Sequence, residues 1–324
     1  MPTSLTEVLD NLYASTWQHM KGEIIDNIFN ATPFWFWLKE KGKLRSVSGG
    51  RHILETLEYA ENDSVGFIGR GGTVPLNDRE FITDAVYDWR YMVASIVRFG
   101  VDDQKNRGKT RIFELARAKV NNAQESLVTL LETTLFGGVG AEGTNFDGLQ
   151  HLIADDPTAA ASIGGIPQAT ETWWRNKTDT MSGSSFATNG TAKMRTMLNN
   201  CMNNRAMDRP DIILTTQAVH EFYEDNVLDK YQLTNKKLAD LGFENLLFKS
   251  IPMVWSPSCG AQKMYFLTTR FLNFVYDPAV FFDMTEWKAI PDQVNDRAAQ
   301  VITACSFTTN RRRVHGVIHT IDTA

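Results

Sequence analysis

One candidate for catalysis is His220, which is followed directly by Glu221 in a stretch with helical character. Zinc proteases place two histidines four residues apart on a helix, with a glutamate after the first one as general base. Here position 224 is Glu224, so the second imidazole is missing. The pattern therefore predicts an ordinary solvated helix face.

Three cysteines, Cys201, Cys259 and Cys305, stand far apart in the sequence. An odd number without short spacings fits neither a disulfide framework nor a zinc site, and it favours a reducing compartment. Cys259 lies in a loop without an activating base beside it. We therefore predict no catalytic, metal or cofactor site. A hydrolase that uses Cys259 or His220 is the lesser alternative.

A glycine-rich stretch could cradle a phosphate; it has the order Gly66, Phe67, Ile68, Gly69, Arg70, Gly71 and Gly72. Phosphate loops of this kind need a lysine before Ser or Thr and a helix after it. Here Thr73 has no lysine before it and is followed by Val74 and Pro75. The stretch instead predicts the flexible tip of a hairpin.

The basic run Arg311-Arg312-Arg313 has three readings. It forms a solvated turn, it meets an acidic patch on a neighbouring protein, or it contacts the phosphates of a nucleic acid. The net charge of −5 and the isoelectric point near 5.7 argue against a surface built to hold nucleic acid tightly.

The elements around these residues begin with a ribbon of two strands. Arg51–Tyr59 predicts the first strand. The second is a run of about 14 residues, far longer than usual, with one apolar face made of Tyr87, Trp89, Tyr91, Val93, Val97 and Phe99. Because a two-stranded ribbon is marginal alone, this face packs either on the chain's own long helix or on a neighbouring chain.

Two long helices are predicted at residues 4–30 and 109–136, the second about 40 Å long. After the first comes an aromatic cluster, Phe34, Trp35, Phe36 and Trp37, which we expect to need cover from a neighbour. Residues 248–254 read as a strand broken by Pro252, followed by strands at 264–267 and 272–276. The chain is rich in residues that favour interfaces, with 19 Phe, 8 Trp, 8 Tyr and 11 Met.

This order of elements resembles the major capsid proteins of tailed bacteriophages, which have the Hong Kong 97-type fold. The local signatures are residues 146–149, 172–176, 211–216 and 248–254. The resemblance implies an α+β chain with an N-terminal arm (1–48), a long β-hairpin E-loop (49–104), a P-domain with the spine helix (105–189), an α/β A-domain (190–274) and C-terminal strands that return to the P-domain (275–324). The glycine stretch would be the E-loop tip.

The implied function is structural and non-enzymatic: hexamers and pentamers of one chain form an icosahedral head around double-stranded DNA. A shell protein of a cargo-holding nanocompartment is the alternative. Implied partners are the chain itself, a separate scaffolding protein, a portal, a cement protein and weakly contacted DNA. No membrane is expected, and assembly takes place in the host cytoplasm, with the virion capsid as destination. Some relatives cross-link an E-loop lysine; because no lysine lies between Lys43 and Lys105, we predict only non-covalent contacts.

Overall fold

The structure is a computed structural model of the 324-residue chain. It describes residues 5–61, 64–73, 76, 80–101, 109–138, 144–183, 185–202, 208–227, 246–291, 293 and 296–322. The fold is α+β, as predicted. Within these ranges, no helix combines the length and the apolar character that crossing a bilayer requires.

The α-helices include the two long ones predicted. Their bounds are α1 Leu5–Asn30, α2 Pro33–Glu40, α3 Lys109–Leu135, α4 Leu149–Leu152, α5 Phe186–Cys201 and α6 Gln217–Val227. Helix α3 buries a stripe at Val120, Ala123, Leu127 and Leu131, whereas Leu130 is 39% exposed. Helix α2 begins at a proline, which suits the first helical turn because no intrahelical bond needs its missing N–H group.

Within the described ranges, the strands form two six-stranded sheets and two hairpins. Their bounds are β1 Leu44–Ser46, β2 His52–Glu58, β3 Ile82–Asp88, β4 Arg90–Arg98, β5 Ser162–Ile163, β6 Ile166–Pro167, β7 Lys177–Thr180, β8 Ile212–Thr215, β9 Leu246–Phe248, β10 Ile251–Trp255, β11 Met264–Leu267, β12 Leu272–Tyr276, β13 Asp283–Met284, β14 Lys288–Ala289, β15 Arg297–Thr309 and β16 Gly316–His319.

Strand β15 is the centre of the first sheet. Along one edge it pairs with β4 over nine residues, from Arg297 opposite Arg98 to Cys305 opposite Arg90. Along its other edge it pairs with β12, β13 and β14, and β1 extends the sheet beyond β12. This sheet, covered by α1, α2 and α3, forms the larger core.

The second sheet has the order β7-β16-β11-β8-β10-β9 and packs against α5 and α6. This order corrects the predicted boundaries. Strand β16 joins the second sheet, whereas β13, β14 and β15 of the C-terminal segment lie in the first sheet. The boundary at residue 190 falls inside α5, and β12 lies in the first sheet although it falls in the predicted A-domain. Local sequence patterns predicted where helices and strands lie, but they did not predict which distant strands pair with one another.

The predicted 14-residue strand is also wrong, because the run changes sheets at Trp89. Strand β3 pairs with β2, and β4 pairs with β15. The buried side changes with the sheet: Tyr87 is 3% exposed, whereas Tyr91 is 67% exposed. The two tyrosines therefore do not share one exposed face.

Residues 248–254 form a hairpin instead of one strand broken at Pro252. Lys249 and Ser250 both have positive φ, 48° and 67°, and form the two-residue turn between β9 and β10. Pro252 lies within β10, which pairs with β8 on its other side only from Met253 onward. Proline has no N–H group to donate to a ladder, and it is tolerated at this position because β8 does not pair with it.

The aromatic cluster after α1 is buried inside its own subunit, which corrects the expectation that a neighbour covers it. Phe34 and Trp35 are each 1% exposed and Trp37 is 6% exposed; Phe36 is partly buried. Trp35 packs edge-on against Phe274 and Phe307 of the first sheet, with ring centroids 5.1 and 6.2 Å apart. This arm is therefore part of the core.

Candidate assembly surfaces

The two candidates for hydrolytic chemistry are buried. Burial raises the pKa of the Cys259 thiol to about 12, so it stays protonated and weakly nucleophilic at neutral pH. His220 on α6 is 3% exposed. Among the described residues, no group of three His, Cys, Asp or Glu side chains could hold a metal ion. Both side chains are therefore shielded from solvent by the described part of the subunit.

The glycine-rich stretch lies at the far end of a ribbon, which we define as residues 51–88. The ladder of β2 and β3 runs from His52 opposite Asp88 to Glu58 opposite Ile82. Beyond it, residues 65–73, which we call the tip, are all exposed. Phe67 has a fully exposed side chain and Val65 is 82% exposed. Val74 and Pro75 lie outside the described residues.

The inner face of the ribbon rests on the body of the same subunit. Ile53, Leu57, Ala85 and Tyr87 are buried there. A Cβ atom added to Gly164, which has φ +60°, would lie 2.9 Å from the Cβ of Ala85. Ribbon and body are therefore in van der Waals contact, and only glycine fits at that point.

A buried carboxylate also fixes the ribbon base. Glu55 is 4% exposed. It accepts hydrogen bonds from the Arg45 guanidinium at 3.1 Å and from the Thr308 hydroxyl at 2.9 Å. Charge-assisted bonds of this kind are about twice as strong as neutral ones. The base is therefore anchored by polar bonds as well as by packing, whereas the tip has no such contacts among the described residues.

A groove runs between β4 and α3. Its volume is about 600 Å³, and its lining includes Val93, Val97, Phe99, Asn122, Ser126 and Leu130. Val93 is 44% and Phe99 46% exposed. Lys119 on α3 donates a hydrogen bond from Nζ to the carbonyl oxygen of Val97 at 2.7 Å. A depression of about 280 Å³ continues the groove past Tyr91 and Thr134.

The exposed large apolar side chains of the described residues are confined to these two surfaces. Eight lie on the ribbon: Leu54, Val65, Phe67, Ile68, Leu76, Phe81, Ile82 and Val86. Five lie on or next to β4 and α3: Tyr91, Val93, Phe99, Val101 and Leu130. Patches of this kind on a folded subunit mark interaction sites.

The basic run is not a solvated turn. Arg312 is completely buried, and its guanidinium donates hydrogen bonds to the carbonyl oxygens of Leu152 and Trp174 at 2.6 and 3.1 Å and to the side-chain oxygens of Gln168 and Asn176 at 3.0 Å. Desolvation lowers its pKa to about 10. Arg312 therefore cannot reach a neighbour or DNA, because the subunit's own oxygens surround it.

Its two neighbours are less enclosed. Arg311 pairs with Asp208 at 3.2 Å and lies over the ring of Phe271. Arg313 is partly exposed. Of the predicted contact residues, Tyr87 is also enclosed by its own subunit and Trp89 is partly buried, whereas Tyr91 and the tip are exposed.

One cluster of charged side chains between α1 and the first sheet was not predicted from the sequence. Arg98 at the end of β4 is 1% exposed; it pairs with Asp10 of α1 at 2.7 Å and lies over the ring of Trp287. Arg297 of β15 contacts the same carboxylate. Asp10 thus holds α1 on the first sheet. Each of these charged residues is isolated in the sequence, and no local pattern predicts the cluster because its members are distant from one another.

No protein-family model matches the chain, and no curated protein is similar to it. Solved structures do match. The capsid protein of cyanophage A-1(L) is 17% identical, with a TM-score of 0.68 over 86% of this chain and 90% of the phage chain. The procapsid of satellite phage P4 gives 8% identity and a TM-score of 0.55 over 93% and 91% of the two chains.

The SrpI encapsulin of Synechococcus elongatus PCC 7942 is 10% identical, with a TM-score of 0.54 over 90% of this chain and 89% of the encapsulin. These likenesses extend over 86–93% of this chain and 89–91% of the matched chains. The chain therefore has the Hong Kong 97-type capsid fold that its order of elements resembles.

Proposed function

We propose that this chain is the major capsid subunit of a tailed bacteriophage, and that it assembles into hexamers and pentamers of an icosahedral head around double-stranded DNA. The observation that carries the proposal is the confinement of exposed apolar side chains to the ribbon and the groove. Both surfaces are costly to leave in water. A neighbour's ribbon tip laid along the groove would bury both.

Such a contact joins the tip of one copy to a different surface, the groove, of the next copy. Head-to-tail contacts of this type generate rings when the rotation closes. Each subunit then both offers a ribbon and receives one, so several modest contacts act together. Because no lysine lies between Lys43 and Lys105, the ribbon offers none for an isopeptide cross-link, which supports non-covalent contacts.

The proposal places a separate scaffolding protein, a portal and a cement protein around this shell, which is assembled in the host cytoplasm and ends in the virion. The net charge of −5 suits a container that holds packaged DNA only weakly. The phage reading is favoured because the cyanophage capsid superposes better than the encapsulin, with TM-scores of 0.68 and 0.54.

A cargo-holding nanocompartment is the second candidate, supported by the encapsulin likeness. Size-exclusion chromatography and negative-stain electron microscopy of the purified chain test both. Shells, or rings of five and six subunits, support a shell protein, and packaged DNA or protein cargo then separates the candidates. A stable monomer would contradict both.

A further inference from the structure

Strand β4 is an edge strand of the first sheet, and its free edge lines the groove. In the described part of the chain it pairs with β15 alone. In an antiparallel pair, the backbone groups of every second residue point away from the partner strand. The carbonyl oxygens of Gln300 and Ala304 accept hydrogen bonds from the far side of β15, at 2.8 and 3.1 Å. The residues opposite them on β4, Ser95 and Tyr91, therefore direct their backbone groups away from β15 and into the groove.

This edge has backbone groups without partners. By the same alternation, Val93 and Val97 also point into the groove. The carbonyl oxygen of Val97 accepts the hydrogen bond of Lys119, which closes that end of the edge. Among the described residues, none forms a hydrogen bond with the outward backbone groups of Tyr91, Val93 and Ser95. A strand edge that is open and flanked by exposed apolar side chains is a template for a further strand.

The tip contains a segment that fits this edge. Residues 65–68 are Val, Gly, Phe and Ile, and none of them forms a backbone hydrogen bond with another described residue. They end at a turn in which the N–H group of Gly72 donates to the carbonyl oxygen of Gly69 at 3.0 Å. Val, Phe and Ile favour strands. Four extended residues span roughly 13 Å, which is also the distance from Tyr91 to Ser95 along a strand.

We propose that residues 65–68 of one copy join the free edge of β4 in the next copy as an added strand, so that backbone hydrogen bonds hold the tip in the groove. The inference rests on the proposed function and adds how that contact is bonded. In strand addition, main-chain hydrogen bonds provide affinity and side-chain pockets provide specificity. The apolar wall of the groove on α3, which includes the half-exposed Leu130, provides such a pocket.

The two outer edges of the ribbon are the other candidates for the added strand. The edge of β3 is closed at Val86, whose N–H group donates to the carbonyl oxygen of Gly164 at 2.9 Å. This bond also shows that Val86 and Leu54 face each other without bonding, so Thr56, two residues further on, directs its N–H group away from β3. The edge of β2 is thus open. The tip is favoured over it because β2 packs on its own subunit, whereas residues 65–68 are exposed throughout.

A proline at Ser95 tests the backbone pairing. Ser95→Pro removes an N–H group that β15 does not use, and proline is tolerated on the open side of an edge strand. The melting temperature of the subunit should therefore stay near that of the wild type. Assembly should be lost, because the added strand loses one bond and meets the proline ring. Size-exclusion chromatography and electron microscopy give the assembly state.

Two matched controls accompany this variant. Ser95→Ala keeps the N–H group and should assemble like the wild type. Thr56→Pro removes an outward N–H group from the free edge of β2 and should also assemble like the wild type. Loss of assembly in Thr56→Pro would identify β2 as the added strand and would overturn the assignment to the tip.

Hydrogen exchange of the wild-type chain gives a second measurement, which decides alone if Ser95→Pro does not fold. In shells, the amides of Tyr91, Val93 and Ser95 should exchange about tenfold more slowly than in the unassembled subunit, as expected for one new hydrogen bond each. The amides of Met92 and Ala94 should change little, because they already pair with β15. Residue-resolved mass spectrometry gives the comparison.

The outcomes separate this inference from the proposed function. Wild-type shells together with normal assembly of Ser95→Pro, or with unchanged exchange of the three amides, would overturn the strand addition and leave the proposed function standing. A wild-type chain that remains monomeric would overturn both.

Discussion

The hydroxyl group of Tyr87 donates a hydrogen bond to the carbonyl oxygen of Thr309 at 2.8 Å, across 222 residues of sequence. Both residues are buried, and burial raises the pKa of the Tyr87 phenol well above its ordinary value, so it stays protonated. The bond joins the end of β3 to the end of β15. The ribbon base is therefore built into its own subunit, and the tip remains exposed.

Replacing Tyr87 with Phe should lower the free energy of unfolding by about 1–2 kcal/mol, because it leaves the buried carbonyl oxygen of Thr309 with one partner fewer. Urea unfolding measures this difference. The control is Tyr91→Phe, which should have almost no effect because Tyr91 is exposed. Equal effects of the two changes would mean that the Tyr87 bond does not stabilise the subunit.

Replacing Arg312 with Met should destabilise the subunit by about 3 kcal/mol or more. Methionine fills similar space but leaves four buried oxygen acceptors without the guanidinium. The matched control is Arg70→Met at the exposed tip, with an expected change within about 0.5 kcal/mol. A loss below about 1 kcal/mol at Arg312, measured by denaturant unfolding, would contradict its role in holding this part of the core.

Glu132 on α3 should make the stability of the folded subunit depend on pH. Its Oε1 accepts a hydrogen bond from the Ser256 hydroxyl, and burial raises its pKa above the ordinary 4.5 despite that bond. The folded state therefore holds the proton more tightly than the unfolded state. The contribution of this group to stability is greatest in acid and falls as pH rises from about 4.5 through the folded pKa.

Glu132→Gln should be more stable than the wild type above this window, and the advantage should shrink towards acid pH, because glutamine keeps an acceptor for Ser256 and cannot ionise. Unfolding curves between pH 4 and 8 give the comparison. Glu125→Gln, exposed on the same helix, should leave the pH dependence unchanged. The explanation fails if Glu132→Gln shifts stability by the same amount at every pH.

Replacing Phe67 with Asp should abolish assembly and leave the subunit folded. The side chain makes no buried contact, so the free energy of unfolding should change by no more than about 0.5 kcal/mol. Deletion of residues 62–76 should act in the same way. Chromatography and thermal unfolding separate the two effects, and normal shells from either variant would refute the assignment of the tip.

Local sequence patterns predicted the elements that depend on local periodicity. The helices at residues 4–30 and 109–136 and the strands at 264–267 and 272–276 agree with the structure within a few residues. The element order also led to the correct fold. Each of these signals lies within one segment of the chain, where side-chain spacing alone decides which face is buried.

The sequence did not predict the features that depend on contacts between distant segments of the chain. The alternation from Tyr87 to Phe99 continues through Trp89, so nothing local shows that the strand changes sheets there. Trp35 is buried by Phe274 and Phe307, more than 200 residues away in the sequence. A run of three arginines is usually solvated, and only the tertiary arrangement of four oxygens buries Arg312.

Cryo-electron microscopy of particles formed by the wild-type chain shows which chain covers each apolar surface. We expect rings of five and six subunits in which the tip, residues 65–73, lies against β4 and α3 of the adjacent copy. Particles whose tips pack on their own subunit, or a purified chain that remains monomeric with tip and groove exposed, would contradict it.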